Sequence, residues 1–227
     1  MIEALRFEFS FKTITTNSFR VKSLIGQYDL ENKDTIQTFK GNHKLPENWN
    51  IGLIVGNSGS GKTSIAKNVF GDFIKLNWND RPLIDNFKDD LSMNDITYSL
   101  GSVGFNSVPY WLKPFHVLSN GEKSRAELAR MALENDLTVY DEFTSLVDRD
   151  VAKSMSHSVQ KLFKRLDKKF IAVTCHYDIK EWLQPDWVYN TDEKEFSLPK
   201  SRGANGSNLT LQKQQKNLGT FISNIII

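Results

Sequence analysis

The stretch GNSGSGKT, Gly56 to Thr63, is built from residue types that grip phosphate. It fits the pattern GxxxxGK[ST], in which each type has a physical reason. Glycines at 56, 59 and 61 let the backbone curl, so that amides from Asn57, Ser58 and Ser60 through to Ser64 can point at phosphate oxygens. Lys62 would meet the β and γ oxygens, and Thr63 would place its hydroxyl on Mg²⁺. A glycine-rich turn carrying a lysine would look similar, so context decides. Here the motif follows the apolar run NIGLIV and opens the helical stretch SGKTSIAKNVF, which is the strand, loop and helix order that the chemistry requires.

A second acidic element completes that chemistry. In LTVYDE, Asp141 ends a buried-strand pattern and can support the metal, while Glu142 stands where an attacking water would be activated. Two acids at a strand end are also an ordinary solvated turn, and the upstream phosphate loop favours the catalytic reading. His176 ends a further apolar strand, FIAVTCH. A lone histidine is more often structural, but its place after the carboxylate strand favours a functional role. Cys175 beside it faces the other way on an alternating strand, which disfavours a Cys/His nucleophile pair. The four histidines, 43, 116, 157 and 176, have no metal-ligand spacing.

The elements that must position these groups are legible as patterns. Leu5, Phe7, Phe9 and Phe11 alternate with polar residues, predicting a strand with one buried face. Phe19 to Ile25 and Thr35 to Phe39 are further strand candidates, separated by turns such as LENKD, so an antiparallel β region precedes the phosphate loop. Strands then alternate with helical stretches, including DRDVAKSMSHSVQKLFKRLDKK, which predicts a mostly parallel sheet covered by helices. LSNGEKSRAELAR begins with a capping box, Ser119 and Glu122, and continues as a half-buried helix. VPYWLKPFH, just before it, reads as a buried loop. The text from Ser201 onward is polar and glycine-spotted with an apolar end, FISNIII, which is an edge strand, a partner-binding strand or a disordered end.

Composition narrows the class. The 227 residues are 39% hydrophobic, enough for a real core, and the single cysteine fits a reducing, cytoplasmic setting without an internal disulfide. No run approaches the roughly 18 apolar residues of a membrane span, and the N-terminus is neither a signal nor a transit peptide. A net charge of +2 permits nucleic-acid binding without arguing for it.

The order Gly56 to Thr63, LSNGE, LTVYDE, SLVD at Ser145 to Asp148, and then His176 resembles the ATP-binding cassette (ABC) ATPases over most of residues 1 to 199. The resemblance implies an α/β P-loop NTPase fold of ABC type: a central mixed or parallel sheet, an N-terminal antiparallel β region and a small helical insert at about 80 to 134, followed by a tail from 200 to 227. It implies ATP and Mg²⁺ as ligands, with Lys62 and Thr63 on phosphate and metal, Asp141 supporting the metal and Glu142 as general base. His176 would be the switch residue, Asp148 would lie in a loop at the dimer interface, and Ser119 and Gly121 would contact the γ-phosphate bound to the opposite subunit. An ATP-dependent head-to-tail homodimer follows from that assignment.

Three departures stand out. The signature LSGGQ has Asn120 and Glu122 here, and the family's Q-loop glutamine is missing between Thr63 and Leu118, with Asp85 or Asn86 as candidate substitutes. Only 57 positions separate Lys62 from Ser119, a short insert for gripping membrane subunits. SLGSVGFNSVPYWLKPFHVLSNGEKSRAELAR, VYDEFTSLVDRDVAK and VTCHYDIKEWLQPDWVY more closely resemble a soluble bacterial and phage group of these ATPases, sometimes fused to a GNAT acetyltransferase domain, which suggests a stand-alone module with an acetyltransferase partner. The leading expectation for its work is a mechanical or regulatory ATPase serving DNA, RNA or a protein partner. A transporter's nucleotide-binding subunit and a non-hydrolysing ATP sensor are the alternatives. For the adenine, Trp49 and Phe39 are candidate platforms, each better read as core. Lys161, Lys164, Arg165, Lys168 and Lys169 form a basic helix end, ordinarily a solvated face and alternatively a nucleic-acid footprint.

Overall fold

The computed structural model describes residues 3–13, 18–29 and 35–199. The expected turn LENKD falls, but for Tyr28 and Asp29 before it, outside the described residues, as do the 200–227 tail and FISNIII. The elements below all lie in the unit Met1–Ser197.

Strand β1 (Ala4–Thr13) pairs antiparallel with β2 (Thr35–Lys44), in register from Ala4 opposite Lys44 to Thr13 opposite Thr35. This is the expected N-terminal antiparallel region, held by the alternate residues Leu5 and Phe7 on its buried face. Between the two strands lies helix α1 (Phe19–Tyr28), where Phe19 to Ile25 was expected to be a strand. The reason is local. Ser18 accepts the Val21 amide as an N-cap, and Val21, Leu24, Ile25 and Tyr28 follow the i, i+3, i+4, i+7 spacing that a shorter window misreads as alternation.

The central sheet has five strands in the order β4-β5-β3-β6-β7: β3 (Ile51–Val55), β4 (Leu137–Tyr140), β5 (Lys169–Thr174), β6 (Trp187–Asn190) and β7 (Glu195–Ser197). The first four positions run parallel and β7 is antiparallel, so the sheet is mixed. Its parallel strands are largely buried on both faces. Ile51, Leu53, Val55, Phe170 and Ala172 face one cluster, while Ile54, Ile171 and Val173 face another, the period-two division of an extended chain. Gly52 lets Trp187 of the neighbouring strand lie flat against it, since a Cβ there would sit 2.1 Å from the indole ring.

Helix α2 (Lys62–Phe70) and the β1–β2 pair pack on the second cluster. The first cluster is covered by α3 (Met93–Ser102), α5 (Asn120–Glu134), α6 (Arg149–Arg165) and α7 (Ile179–Leu183). The helical insert contains α3, the short α4 (Val108–Trp111) and α5, with one-turn 3₁₀ helices at Leu83–Asn86 and Phe115–Val117. Ser99 Oγ donates to the Ala129 carbonyl at 3.0 Å and so ties α3 to α5. VPYWLKPFH is therefore not the buried loop expected from its aromatics. It forms α4 and a 3₁₀ turn in which Trp111 is buried, donating to the Phe105 carbonyl, while Val108 and Leu112 face outward.

Candidate functional site

The carboxyl ends of β3, β4 and β5 lie along one edge of the sheet, with Val55 beside Thr174 and Tyr140 beside Ala172. The three pieces of chemistry read from the sequence follow directly from those ends: Gly56, then Asp141 and Glu142, then His176. This is the edge at which open α/β sheets bind ligands.

Gly56 to Thr63 forms a loop that turns into α2 at Lys62. Gly59 and Gly61 have φ of +79° and +88°, the left-handed backbone that glycine adopts without strain. At Gly61 a side chain is excluded twice, because its Cβ would lie 2.3 Å from the Phe39 ring. Lys62 is 7% exposed, and its ammonium donates to the Asn57 carbonyl at 2.7 Å. Thr63 Oγ1 donates to Asp141 Oδ1 at 3.2 Å, joining the loop to the carboxylate strand across 78 residues.

The loop is clamped from outside by the β6–β7 turn, which carried no sequence signal. Ser60 and Thr191 share a hydroxyl hydrogen bond of 2.6 Å, and Asp192 Oδ2 accepts the Asn57 amide at 2.8 Å. The same carboxylate accepts the Tyr177 hydroxyl, one residue past His176. That bond raises the Tyr177 pKa to about 12. His176 itself is half-buried, with its amide donating to Thr174 Oγ1.

Beyond β4 the chain makes a tight turn. Glu142 and Thr144 have φ of +53° and +69°, unfavourable for non-glycine and most of all for β-branched residues. Phe143 pins the turn: its side chain is fully buried edge-on to Phe170, and its amide donates to the Val173 carbonyl at 2.9 Å. Glu142 is left at the surface, accepting from Ser145 Oγ at 2.7 Å. Glu142 also lines the cleft over the phosphate loop, together with Lys62, Thr63, Ser64 and the rings of Phe11 and Phe39.

Of the two candidate platforms for a base, Trp49 is 4% exposed and packs edge-on to Trp187, the core position preferred for it from the sequence. Phe39 is partly buried, stacked on Phe9 at 5.1 Å. Phe11, which sequence reasoning passed over as the last residue of an alternating strand, is 49% exposed at the mouth of this cleft. Neither candidate for the missing glutamine reaches it. Asn86 is 5% exposed and its amide braces the 79–82 turn through the Asn79 amide and the Arg81 and Pro82 carbonyls, while Asp85 is exposed on the insert.

Ser119 caps α5. Its hydroxyl accepts the Glu122 amide at 3.4 Å and donates to the Glu122 carboxylate, which also accepts the Ser119 amide at 2.9 Å. Asn120 is the first helical residue and has no left-handed φ, so asparagine is unstrained there. Gly121 faces Val147 of the following loop, and Asp148 at that loop's end caps α6 by accepting the Val151 amide at 2.9 Å. The structure thus sets Gly121 against the 145–148 loop, whose first residue Ser145 bonds Glu142, while neither Ser119 nor Gly121 lines the cleft over the phosphate loop.

Thr63 and Asp141 fit a small, hard cation that takes a hydroxyl, a carboxylate, phosphate oxygens and water. Among the described residues no cluster of three or more His, Cys, Asp or Glu side chains offers an all-protein metal cage.

Comparison with solved structures agrees with this arrangement. The dimeric structure of MJ0796, described as a bacterial ABC transporter cassette, superposes with a TM-score of 0.51 at 16% identity over 69% of this chain and 87% of that one. A dimeric post-hydrolysis state of the ATP-binding cassette MJ0796 bound to ADP and Pi gives 0.55 at 15% identity, over 76% and 95%. The fold is that of an ATP-binding cassette. A third cassette, cbiO1 from Clostridium perfringens, part of the ABC transporter complex cbiONQ, gives 0.53 at 18% identity over 70% and 79%.

Among curated proteins, the chain is 35% identical over 74 residues to the energy-coupling factor transporter ATP-binding protein EcfA1 of Leuconostoc mesenteroides, covering 32% of this chain and 27% of that one. It is 26% identical over 129 residues to the probable ATP-dependent transporter ycf16 of Antithamnion sp., covering 55% and 51%. The matches therefore span about half or less of those relatives. No protein-family model matches the chain.

Proposed function

We propose that the chain is an ATP-hydrolysing cassette of the ABC family that works as an ATP-dependent head-to-tail homodimer. The observation that carries this reading is the Thr63–Asp141 contact of 3.2 Å, with Glu142 next in the chain and on the lip of the same cleft. A glycine-rich turn without a ligand has no need of a hydroxyl and a carboxylate brought together there from 78 residues apart.

In this reading the loop amides from Gly56 to Ser64 and the Lys62 ammonium hold the β- and γ-phosphates, and Phe11 supports the base. Thr63 and Asp141 hold Mg²⁺, which offsets charge on the phosphate oxygens. Glu142 takes the proton of the attacking water, with Ser145 fixing its orientation, and His176 donates to the γ-phosphate from the end of β5. Ser119, Gly121 and Asp148 meet the nucleotide of the other subunit, a role supported by their absence from the lining of the cleft of their own chain. Catalysis is then mostly positioning and charge stabilisation of a loose phosphoryl transition state.

Glu142→Gln tests it. The variant is expected to bind MgATP as tightly as the parent, to hydrolyse it about 100-fold or more slowly, and to accumulate as a dimer in light scattering with ATP. A parent that stays monomeric with and without MgATP overturns the dimer, and Glu142→Gln turnover at the parent rate overturns the base assignment.

A second reading, a nucleotide-binding subunit seated on a membrane partner, is favoured by the outward-facing Met93, Val108 and Leu112 of the insert and by the similarity to transporter proteins. A neighbouring gene encoding several membrane spans would support it. No described helix is itself long and apolar enough to cross a membrane. A nucleic-acid partner draws little support from the basic helix end, whose charges are largely engaged nearby: Lys164 faces Asp186, Arg165 stacks on Tyr98, Lys168 donates to the Leu133 carbonyl and Lys169 lies over Trp49. Stimulation of hydrolysis by DNA or RNA would restore it. An acetyltransferase partner rests on the sequence resemblance alone.

A further inference from the structure

Beside the nucleotide cleft lies a cavity of about 380 Å³ between the coil Phe73–Leu76, one face of α5 and the end of β4. Asp141 and Glu142 form part of its wall, and most of the remainder is apolar, including Phe73, Met131 and Val139. Five further polar side chains, Lys75, Ser124, Glu127, Tyr140 and Thr144, interrupt that apolar wall. Tyr140, the residue immediately before the two carboxylates, directs its hydroxyl onto Glu127 Oε2 at 3.1 Å. Ser124, three residues earlier on α5 and 6% exposed, interacts with the same hydroxyl. Ser124, Glu127 and Met131 recur at helical spacing, so one face of α5 presents this pair to the strand.

The arrangement is costly unless it has a use. Burial raises the Glu127 carboxyl above the ordinary glutamate range and raises the Tyr140 phenol, and the two satisfy each other where leucine and phenylalanine would pack at no polar cost. The pair also joins two places that the proposed function needs to act together. At one end, α5 begins at the Ser119 cap; at the other, β4 ends one residue before Asp141. The Phe143 anchor fixes the far side of the carboxylates, whereas Tyr140 fixes the near side.

We propose that Glu127 and Tyr140 are positioning residues that lock the end of β4 to helix α5, so that Asp141 and Glu142 are held in register with the Ser119–Gly121 helix start. The inference rests on the reading of the chain as an ATPase with Glu142 as its base. Neither residue touches nucleotide in this scheme. Their action passes through the backbone of residues 140 to 142, and a displacement there of the order of 1 Å can cost up to about 100-fold in rate.

The test compares Tyr140→Phe, Glu127→Ala, their double variant and Glu127→Gln in the full chain, measuring MgATP affinity, kcat and thermal stability for each. Tyr140→Phe and Glu127→Ala are expected to lower kcat about tenfold while MgATP affinity stays within about twofold, since only the register of the carboxylates is disturbed. The double variant should be no worse than either single one, because both remove the same bond. Glu127→Gln keeps an acceptor for the tyrosine hydroxyl and should retain most of the parent rate. Parent-like kcat in Tyr140→Phe, or a loss that follows melting temperature and affinity together, overturns the positioning role. Failure of the underlying reading looks different: the parent itself then shows no turnover that Glu142→Gln removes, and both proposals fall.

Discussion

Thr63 and Asp141 illustrate how one hydrogen bond between residues far apart in the chain sorts among readings of single residues. Each alone has an ordinary explanation, and their contact makes a place for a hard cation at the mouth of a phosphate loop. Phe11 gains its role the same way, from position more than type. It is the exposed aromatic at the cleft, while Trp49 is core and Phe39 is held against Phe9 and Gly61. If Phe11 supports the base, Phe11→Ala should weaken ATP binding by about three- to tenfold, the worth of one ring stacking on another. Affinity for inorganic tripolyphosphate should stay at the parent level, because that probe has no base. Equal losses for both probes in isothermal titration would assign Phe11 to the shape of the loop instead.

At the scale of elements, α5 carries the most consequence per residue. Its start is fixed by the Ser119–Glu122 box, and Ser119→Ala should cost about 1 kcal/mol in denaturant unfolding. The box also has a pH signature. Hydrogen bonding from the Ser119 side chain is the main reason the Glu122 carboxyl lies below the ordinary glutamate range, so the fold favours its charged form. That contribution is complete above the ordinary value and is lost as pH falls through the lowered one. The stability gap between the parent and Glu122→Ala should therefore be full at neutral pH and should narrow below about pH 4, measured by urea unfolding across the range. Elements of this kind were legible in the sequence because their determinants are contiguous: a cap three residues from its partner, a phosphate loop of eight residues, two acids at a strand end. What was not legible depends on residues far apart. Asp192 clamps Asn57 across 135 positions, and Tyr177 joins the same carboxylate, with nothing local to mark either. Strand β6 gave only four residues of signal, and α1 imitates alternation until its window reaches Tyr28.

For the whole molecule, the arrangement raises one question that no single chain answers. In the proposed reading the Ser119 helix start and the Lys62 loop are two halves of one site, but the cleft over Lys62 is lined by Glu142 and Phe11 and not by Ser119 or Gly121. A head-to-tail pair would bring each half to the other, and mixing experiments can read this directly. Lys62→Ala removes phosphate binding on one chain, and Ser119→Arg blocks the helix start on another, so each variant alone should be inactive. In a mixed dimer, the intact loop of the Ser119→Arg chain faces the intact helix start of the Lys62→Ala chain, which restores one complete site. An equimolar mixture that exchanges freely should therefore recover about a quarter of the parent rate, since half of its dimers are mixed and each has one of two sites. The recovered activity should depend on total protein concentration, falling on dilution as dimers dissociate. Activity in either variant alone would show that the residue changed is dispensable, and a mixture as inactive as its components would place both halves of the site within one chain and remove the head-to-tail arrangement.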